Sequence, residues 1–194
     1  MSQPEQEIQQ QIDPHPGWED DEWRKVQEIY TSTIDFVSFI QEAGTMEVHL
    51  PKDPVAEGLG KFHDLLHLTQ QFKNRLSTII SSVISSKATW DTYKGRLDKI
   101  YSTRKNRLLQ EPEIKNLKSD EMRKATCELR MPNVTQLLEY VEETQTYIDN
   151  VLKILRQREE TLKSTNDNLS RQVSVVQQQI EIGEIPRAAF NNQH

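Results

Sequence analysis

The residues best suited to binding chemistry form a basic run in the middle of the chain. Six cations fall within fourteen residues and two more follow them: Lys94, Arg96, Lys99, Arg104, Lys105, Arg107, Arg123 and Lys124. Cationic side chains neutralise phosphates, and the neighbouring Trp90, Tyr93 and Tyr101 can stack on unpaired bases. The run therefore predicts a site for single-stranded nucleic acid.

An ordinary helix end explains the same residues without any ligand. Cations are favoured near the C-terminus of a helix, and Trp90 and Tyr93 fall at positions that a helix would bury. The charge is nevertheless unevenly distributed: residues 1–57 carry 13 acids and 3 bases, whereas residues 87–130 carry 12 bases and 7 acids. This asymmetry favours a polyanion partner despite the net charge of −6.

Other reactive side chains give weaker patterns. His63 and His67 are one helical turn apart, a spacing that suits a metal, but Asp64 stands where a zinc protease has glutamate and no third ligand is visible. The single Cys127 has no histidine near it in sequence, so we interpret it as a buried structural thiol. We predict no metal site, no cofactor and no enzymatic activity.

The elements that must position these residues are helices. Apolar residues make up 35% of the chain, charged residues 28%, and glycine only 6 positions, as expected for long helices that each bury a narrow stripe. The fold class predicted is all-α: an elongated helical hairpin or coiled coil with a disordered acidic N-terminal tail. No apolar run could span a membrane, no secretory signal is visible, and one cysteine suits a reducing compartment, so a cytoplasmic location is expected.

The C-terminal third contains an unbroken apolar repeat of seven. Its members are Val134, Val141, Ile148, Leu155, Leu162, Leu169 and Val176, which we call the seam. A 3.5-residue period sustained over seven heptads predicts left-handed coiled-coil packing in a helix roughly 70 Å long. The seam therefore predicts a hairpin with a second long helix, association between subunits, or both.

Residues that typically stop or cap helices divide the chain into segments. Ala43-Gly44 and Glu111-Pro112 are helix stops, Ser119 is a good N-cap, and the serines within 81–86 predict a bend or break. The predicted organisation is a disordered acidic tail (1–17), an N-terminal helix (18–44), a loop (45–60), a long-helix coiled-coil domain (61–182, with helices at about 61–109, 120–130 and 133–182) and a C-terminal tail (183–194).

Three segments carry a resemblance to a known group of proteins. They are LKSDEMRKA at Leu117–Ala125, NLSRQ at Asn168–Gln172 and IEIG at Ile180–Gly183, with a proline-containing turn and the long helix between them. Residues 90–185 resemble small helical proteins of tailed phages, some related to UvsY-like recombination mediators. The resemblance implies a helical oligomer that binds single-stranded DNA, through the basic run, and loads a recombinase against a single-strand-binding protein.

Two functions are compatible with these observations. The first is a non-enzymatic phage recombination or replication accessory, whose partners would be further copies of the chain, single-stranded DNA, and a recombinase, helicase or single-strand-binding protein. The second is a structural or assembly protein of a phage particle that uses its coiled coil to join subunits. The sequence leaves both open.

Overall fold

A computed structural model describes residues 18–32, 35–52 and 54–183, and all regular structure in these ranges is α-helical. The helices are α1 (Trp18–Ser32), α2 (Phe36–Thr45), α3 (Pro54–Leu108), α4 (Pro112–Lys115), α5 (Asp120–Leu129) and α6 (Pro132–Glu181). The all-α prediction is confirmed. The predicted tail at 1–17, and the C-terminal tail beyond Gly183, lie outside the described residues.

The chain forms two compact units, and α3 and α6 each contribute to both. Unit 1 contains α1, the part of α3 from Ser85, α4, α5, and α6 as far as Asp149. Unit 2 contains α2, the part of α3 up to Ile84, and α6 from Asn150. No helix in the described ranges is both long enough and apolar enough to cross a membrane.

In unit 1, α3 and α6 run antiparallel. Gln145 donates a side-chain hydrogen bond of 2.6 Å to Asp91, and Lys94 pairs with Glu142 at 3.1 Å, so numbers rise along α3 as they fall along α6. The chain reverses through residues 109–131, which pack around a small core. This core consists of Ile100, Ile114, Cys127, Met131 and Val134. These contacts form the predicted helical hairpin.

In unit 2, the same two helices meet around Phe62, Leu169 and Val173. Helix α2 is attached by two arginines. Arg75 makes a two-pronged ion pair with Glu42, and its guanidinium lowers the pKa of that carboxyl. Arg158 donates to the carbonyl oxygens of Ala43 (3.0 Å) and Met46 (2.9 Å) at the C-terminal end of α2, where the Ala43 carbonyl also accepts from the Met46 N–H.

The seam is buried inside a single chain. Each of its seven members exposes no more than 2% of its surface: Val134, Val141, Ile148, Leu155, Leu162, Leu169 and Val176. The intervening residues on the outer side of α6 include exposed apolar ones such as Ile154, which is 45% exposed. The stripe therefore finds its packing partners within the chain.

The predicted single helix over 18–44 is wrong, because two helices occupy this range. Asp35 has extended backbone geometry, and its carboxylate accepts from the backbone N–H groups of Val37 (3.0 Å) and Ser38 (3.1 Å), which makes it the N-cap of α2. The hydrogen bond from the Ser38 hydroxyl is the main cause that lowers the Asp35 pKa. An aspartate with serine three residues later is a cap signal that the apolar periodicity concealed.

The predicted loop over 45–60 is shorter than expected, because helical structure begins at Pro54. Gly58 interrupts it with a φ of 73°, a left-handed conformation that glycine adopts without strain. Regular helix therefore continues from Leu59, close to the predicted start of the long helix at about residue 61.

The break predicted over residues 81–86 does not occur, since α3 is continuously helical there. Two hydroxyls of this stretch bond along the helix instead of competing with it. Ser81 donates to the carbonyl of Ser77 at 2.9 Å, and Ser82 donates to that of Thr78 at 3.1 Å. The hydroxyls are thereby satisfied without breaking the backbone ladder.

The stop signals of the C-terminal half are found at helix ends. Ser119 accepts from the Met122 N–H at 3.1 Å as N-cap of α5, and Pro132 is the first residue of α6. Gly183, with a φ of 80°, follows the end of α6 and donates to the Ile180 carbonyl. These local signals fix the bounds of α5 and α6.

Replacing a seam residue should destabilise the chain far more than replacing its exposed counterpart. Ile148→Ala deletes side-chain atoms that are fully buried, and should lower the free energy of unfolding by about 2–5 kcal/mol. Ile154→Ala, on the same helix, removes the same atoms from an exposed position and should cost less than about 1 kcal/mol. Urea unfolding followed by circular dichroism measures both; equal losses would mean that the seam is not the core.

Candidate nucleic-acid interface

The cationic side chains converge on the part of unit 1 where the chain reverses. The last three turns of α3, the short α4 and the helix α5 all belong to residues 99–130, which contain nine bases and five acids. The small core around Ile114 and Cys127 holds these elements together in one compact region. Apart from Arg130, which pairs with two glutamates, the exposed cations of this region are called the basic end: Lys99, Arg107, Lys115, Lys118 and Lys124.

Four of the five acids in residues 99–130 already have partners within the region. Arg130 reaches both Glu111 and Glu113, and the hydrogen bond to Glu113 is the main cause that raises the Arg130 pKa. Glu128 accepts from the Tyr101 hydroxyl at 3.2 Å. Asp120 pairs with an arginine one turn later. Two arginines are thus committed to three of these acids, and the region keeps four more bases than acids (nine against five).

Lys94, Arg96 and Arg123 of the predicted nucleic-acid residues are engaged in ion pairs. Lys94 contacts Glu142 at 3.1 Å and Asp98 at 3.8 Å, and the bond to Glu142 is the main cause that raises its pKa. Arg96 lies 2.5 Å from Glu22 of α1. Lys94 and Arg96 therefore face different helices and do not belong to one open patch.

Arg123 is the third engaged cation. It contacts Asp120 at 3.1 Å and donates to the Leu117 carbonyl at 3.1 Å. These two contacts tie the start of α5 to the segment before it. Arg123 therefore helps to shape the basic end rather than extending from it.

The other predicted residues are more open. Lys99, Arg107 and Lys124 are exposed, while Arg104 and Lys105 are half-buried. Lys105 lies 5.1 Å above the Tyr101 ring and donates to its hydroxyl, and Arg104 and Arg107 make further interactions of their own. The structure adds the exposed Lys115 and Lys118, which follow the densest part of the run and belong to the same charge pattern.

The stacking part of the sequence prediction is wrong for two of its three aromatics. Trp90 is fully buried and Tyr93 is 7% exposed, because both lie on the side of α3 that faces the core of unit 1. Tyr101 is half-buried and held between Lys105 and Glu128. As folded, this surface presents cations that suit phosphates and offers little aromatic area for bases.

A buried polar cluster lies beside the basic run. Glu22 of α1 is 3% exposed; its carboxylate accepts from the Tyr93 hydroxyl (2.9 Å), Lys25 (2.9 Å) and Arg96 (2.5 Å). Trp23 packs on Tyr140 with ring centroids 5.9 Å apart. Desolvation by burial is the main cause that raises the Tyr93 pKa, and the nearby Glu22 carboxylate raises it further. Sequence spacing gave no sign of this cluster, since its partners are more than 70 residues apart.

The histidines and the cysteine have ordinary surroundings. His63 and His67 are exposed on α3 in unit 2, and within the described ranges no three His, Cys, Asp or Glu side chains are grouped so that they could hold a metal ion. Cys127 is a free thiol buried in the small core of unit 1. It packs there as an apolar side chain.

Comparison of the chain with protein families, with curated proteins and with solved structures finds no match.

The buried Tyr93 predicts a specific loss of stability in alkali. Its folded-state pKa is raised above the ordinary 10.0, so the unfolded chain releases this proton first as the pH rises past 10. The free energy of unfolding should then fall by up to about 1.4 kcal/mol per pH unit from this residue alone. Tyr93→Phe should therefore flatten the decline between pH 9 and pH 11 in urea unfolding; identical declines in both proteins would contradict the assignment.

Proposed function

We propose that this chain is a non-enzymatic recombination or replication accessory protein that binds single-stranded DNA through the basic end of unit 1. The observation that carries the proposal is the charge arrangement there. Nine bases meet five acids in residues 99–130, and four of those acids are paired internally. Exposed lysines on α3, α4 and α5 then provide a surface of positive potential on an acidic protein.

Binding would act mainly through the sugar-phosphate backbone. About five exposed cations should release counterions from single-stranded DNA, which gives a slope of about −3.5 for the logarithm of affinity against the logarithm of salt concentration. Affinity would then fall about a hundredfold between 50 and 200 mM salt. Contacts with the sugar-phosphate backbone carry little information about base sequence, which suits a protein that must bind single-stranded DNA of any sequence.

A protein partner would meet an apolar face on the same end of unit 1. Met122 is 53% exposed and Leu129 is 81% exposed, and their spacing of seven residues places them on one side of α5. This face supports contact with a second copy of the chain, or with a recombinase, helicase or single-strand-binding protein. The buried free thiol of Cys127 suits the reducing cytoplasm where such partners operate.

The alternative is a structural or assembly role in a phage particle. As the sequence predicts it, this assembly role requires the seam to join subunits, yet all seven seam residues are buried within one chain. Assembly would then have to use other surfaces, such as the apolar side of α5. The charge on the basic end favours the nucleic-acid role.

Removing three exposed cations of the basic end should weaken DNA binding. The variant Lys99→Gln, Lys118→Gln, Lys124→Gln should lower the salt slope by about 2 and reduce affinity for a fluorescein-labelled oligothymidylate at low salt. Fluorescence anisotropy across a salt series measures both quantities. All three side chains are exposed, so stability should be unchanged within about 0.5 kcal/mol.

A matched control removes the same charge from unit 2. Lys61, Lys153 and Lys163 are exposed on α3 and α6, and their triple substitution by glutamine should leave the salt slope nearly unchanged. If both triple variants lose affinity equally, binding follows net charge and the basic end is not the site. If the unaltered protein does not bind the oligonucleotide at 50 mM salt, the proposed function is wrong.

A further inference from the structure

Helix α1 places a carboxylate where the start of the basic run could receive a phosphate. The Glu22 side chain accepts from the Tyr93 hydroxyl at 2.9 Å and from the Arg96 guanidinium at 2.5 Å, while Lys25 of the same helix also reaches it at 2.9 Å. A phosphate oxygen takes the same kinds of donor, a hydroxyl and a guanidinium. The Glu22 carboxylate thus occupies an anion site made by α3.

The charge of the whole helix matches this role. Helix α1 carries five acids and two bases, whereas residues 87–130 carry twelve bases and seven acids. The helix therefore places negative charge against the segment with the greatest positive excess. Opposite charges attract α1 to this segment in the closed chain, and they attract it back after it opens. A polyanion with more negative charge therefore competes with α1 for the same segment.

Helix α1 is held in unit 1 by apolar contacts as well as by Glu22. Val26 is buried, and Trp23 makes a tilted contact with Tyr140. Displacing α1 would break these contacts together with those of Glu22.

We infer that Tyr93 and Arg96 form a concealed phosphate site, which Glu22 occupies in the closed chain and which single-stranded nucleic acid takes by displacing α1. Opening would also uncover Tyr93, whose hydroxyl bonds to Glu22 in the closed chain. Its ring can stack on an unpaired base and would add single-strand preference to the backbone contacts of the basic end. The inference rests on the proposed function and assigns to it a regulated second contact.

Hydrogen exchange on the full chain tests whether α1 leaves. Saturating oligothymidylate should increase the exchange rate of amides in Trp18–Ser32 at least about tenfold, while amides of α6 around Ile148 keep their protection. Unchanged or slower exchange in α1 would overturn the inference, because it would show that the helix stays in place when DNA binds.

Charge removal at Glu22 tests the competition itself. Glu22→Gln weakens the carboxylate's hold on Arg96 and should raise affinity for oligothymidylate about tenfold. Glu160→Gln makes the same charge change at an exposed position of α6 and should raise affinity less than about twofold. Equal gains in the two variants would overturn the inference, since they would reflect only the overall charge of the chain.

A second probe separates this inference from the proposed function. Inorganic polyphosphate offers the same oxygens without bases. If polyphosphate accelerates exchange in α1 while oligothymidylate neither binds nor does so, the concealed anion site is supported and the single-stranded DNA function is wrong. If oligothymidylate binds with the expected salt slope while neither probe affects α1, the proposed function stands and the concealed site does not.

Discussion

A helix of fifty residues with an apolar side is stable in water only when that side is covered. In α6 the covered residues recur every seven positions from Val134 to Val176, and each is almost completely removed from solvent. Helix α3 supplies the opposing surface in both units, with Trp90 and Leu97 in one and Phe62 and Leu76 in the other. Because this packing is local to one chain, the remaining surfaces can carry charge and partner contacts without exposing the core.

Polar interactions then determine which elements attach to the two long helices. Exposed ion pairs contribute about 0–1 kcal/mol each, so pairs such as Arg24 with Asp21 are minor. The contacts of Glu22 differ because the carboxylate is almost fully buried and breaking one partner would leave charge uncompensated. Arg158 similarly donates to the Ala43 and Met46 carbonyls at the end of α2. These two groups attach α1 and α2 by specific bonds as well as by apolar area.

Sequence periodicity predicted the parts of the fold that depend on neighbours three, four or seven residues away. The seam and the Ser119 cap are of this kind. It failed at Trp90 and Tyr93, which fit both a base-stacking site and a buried helix face. Burial prevails because covering a large aromatic side chain stabilises the fold more than leaving it exposed. Glu22 could not be assigned from sequence, since its partners Tyr93 and Arg96 are 71 and 74 residues away.

The antiparallel course of α3 and α6 has a consequence for how the molecule folds. Asp91 and Gln145 are 54 residues apart in the chain, whereas Phe62 and Leu169 are separated by about twice that number. Doubling the length of a closed loop adds only about 0.6 kcal/mol of entropic cost, but residues that are closer in sequence still meet first. Contacts between α3 and α6 would form first beside the reversal at 109–131 and then extend toward Phe62. The folding nucleus and the basic end would therefore lie in the same stretch of sequence.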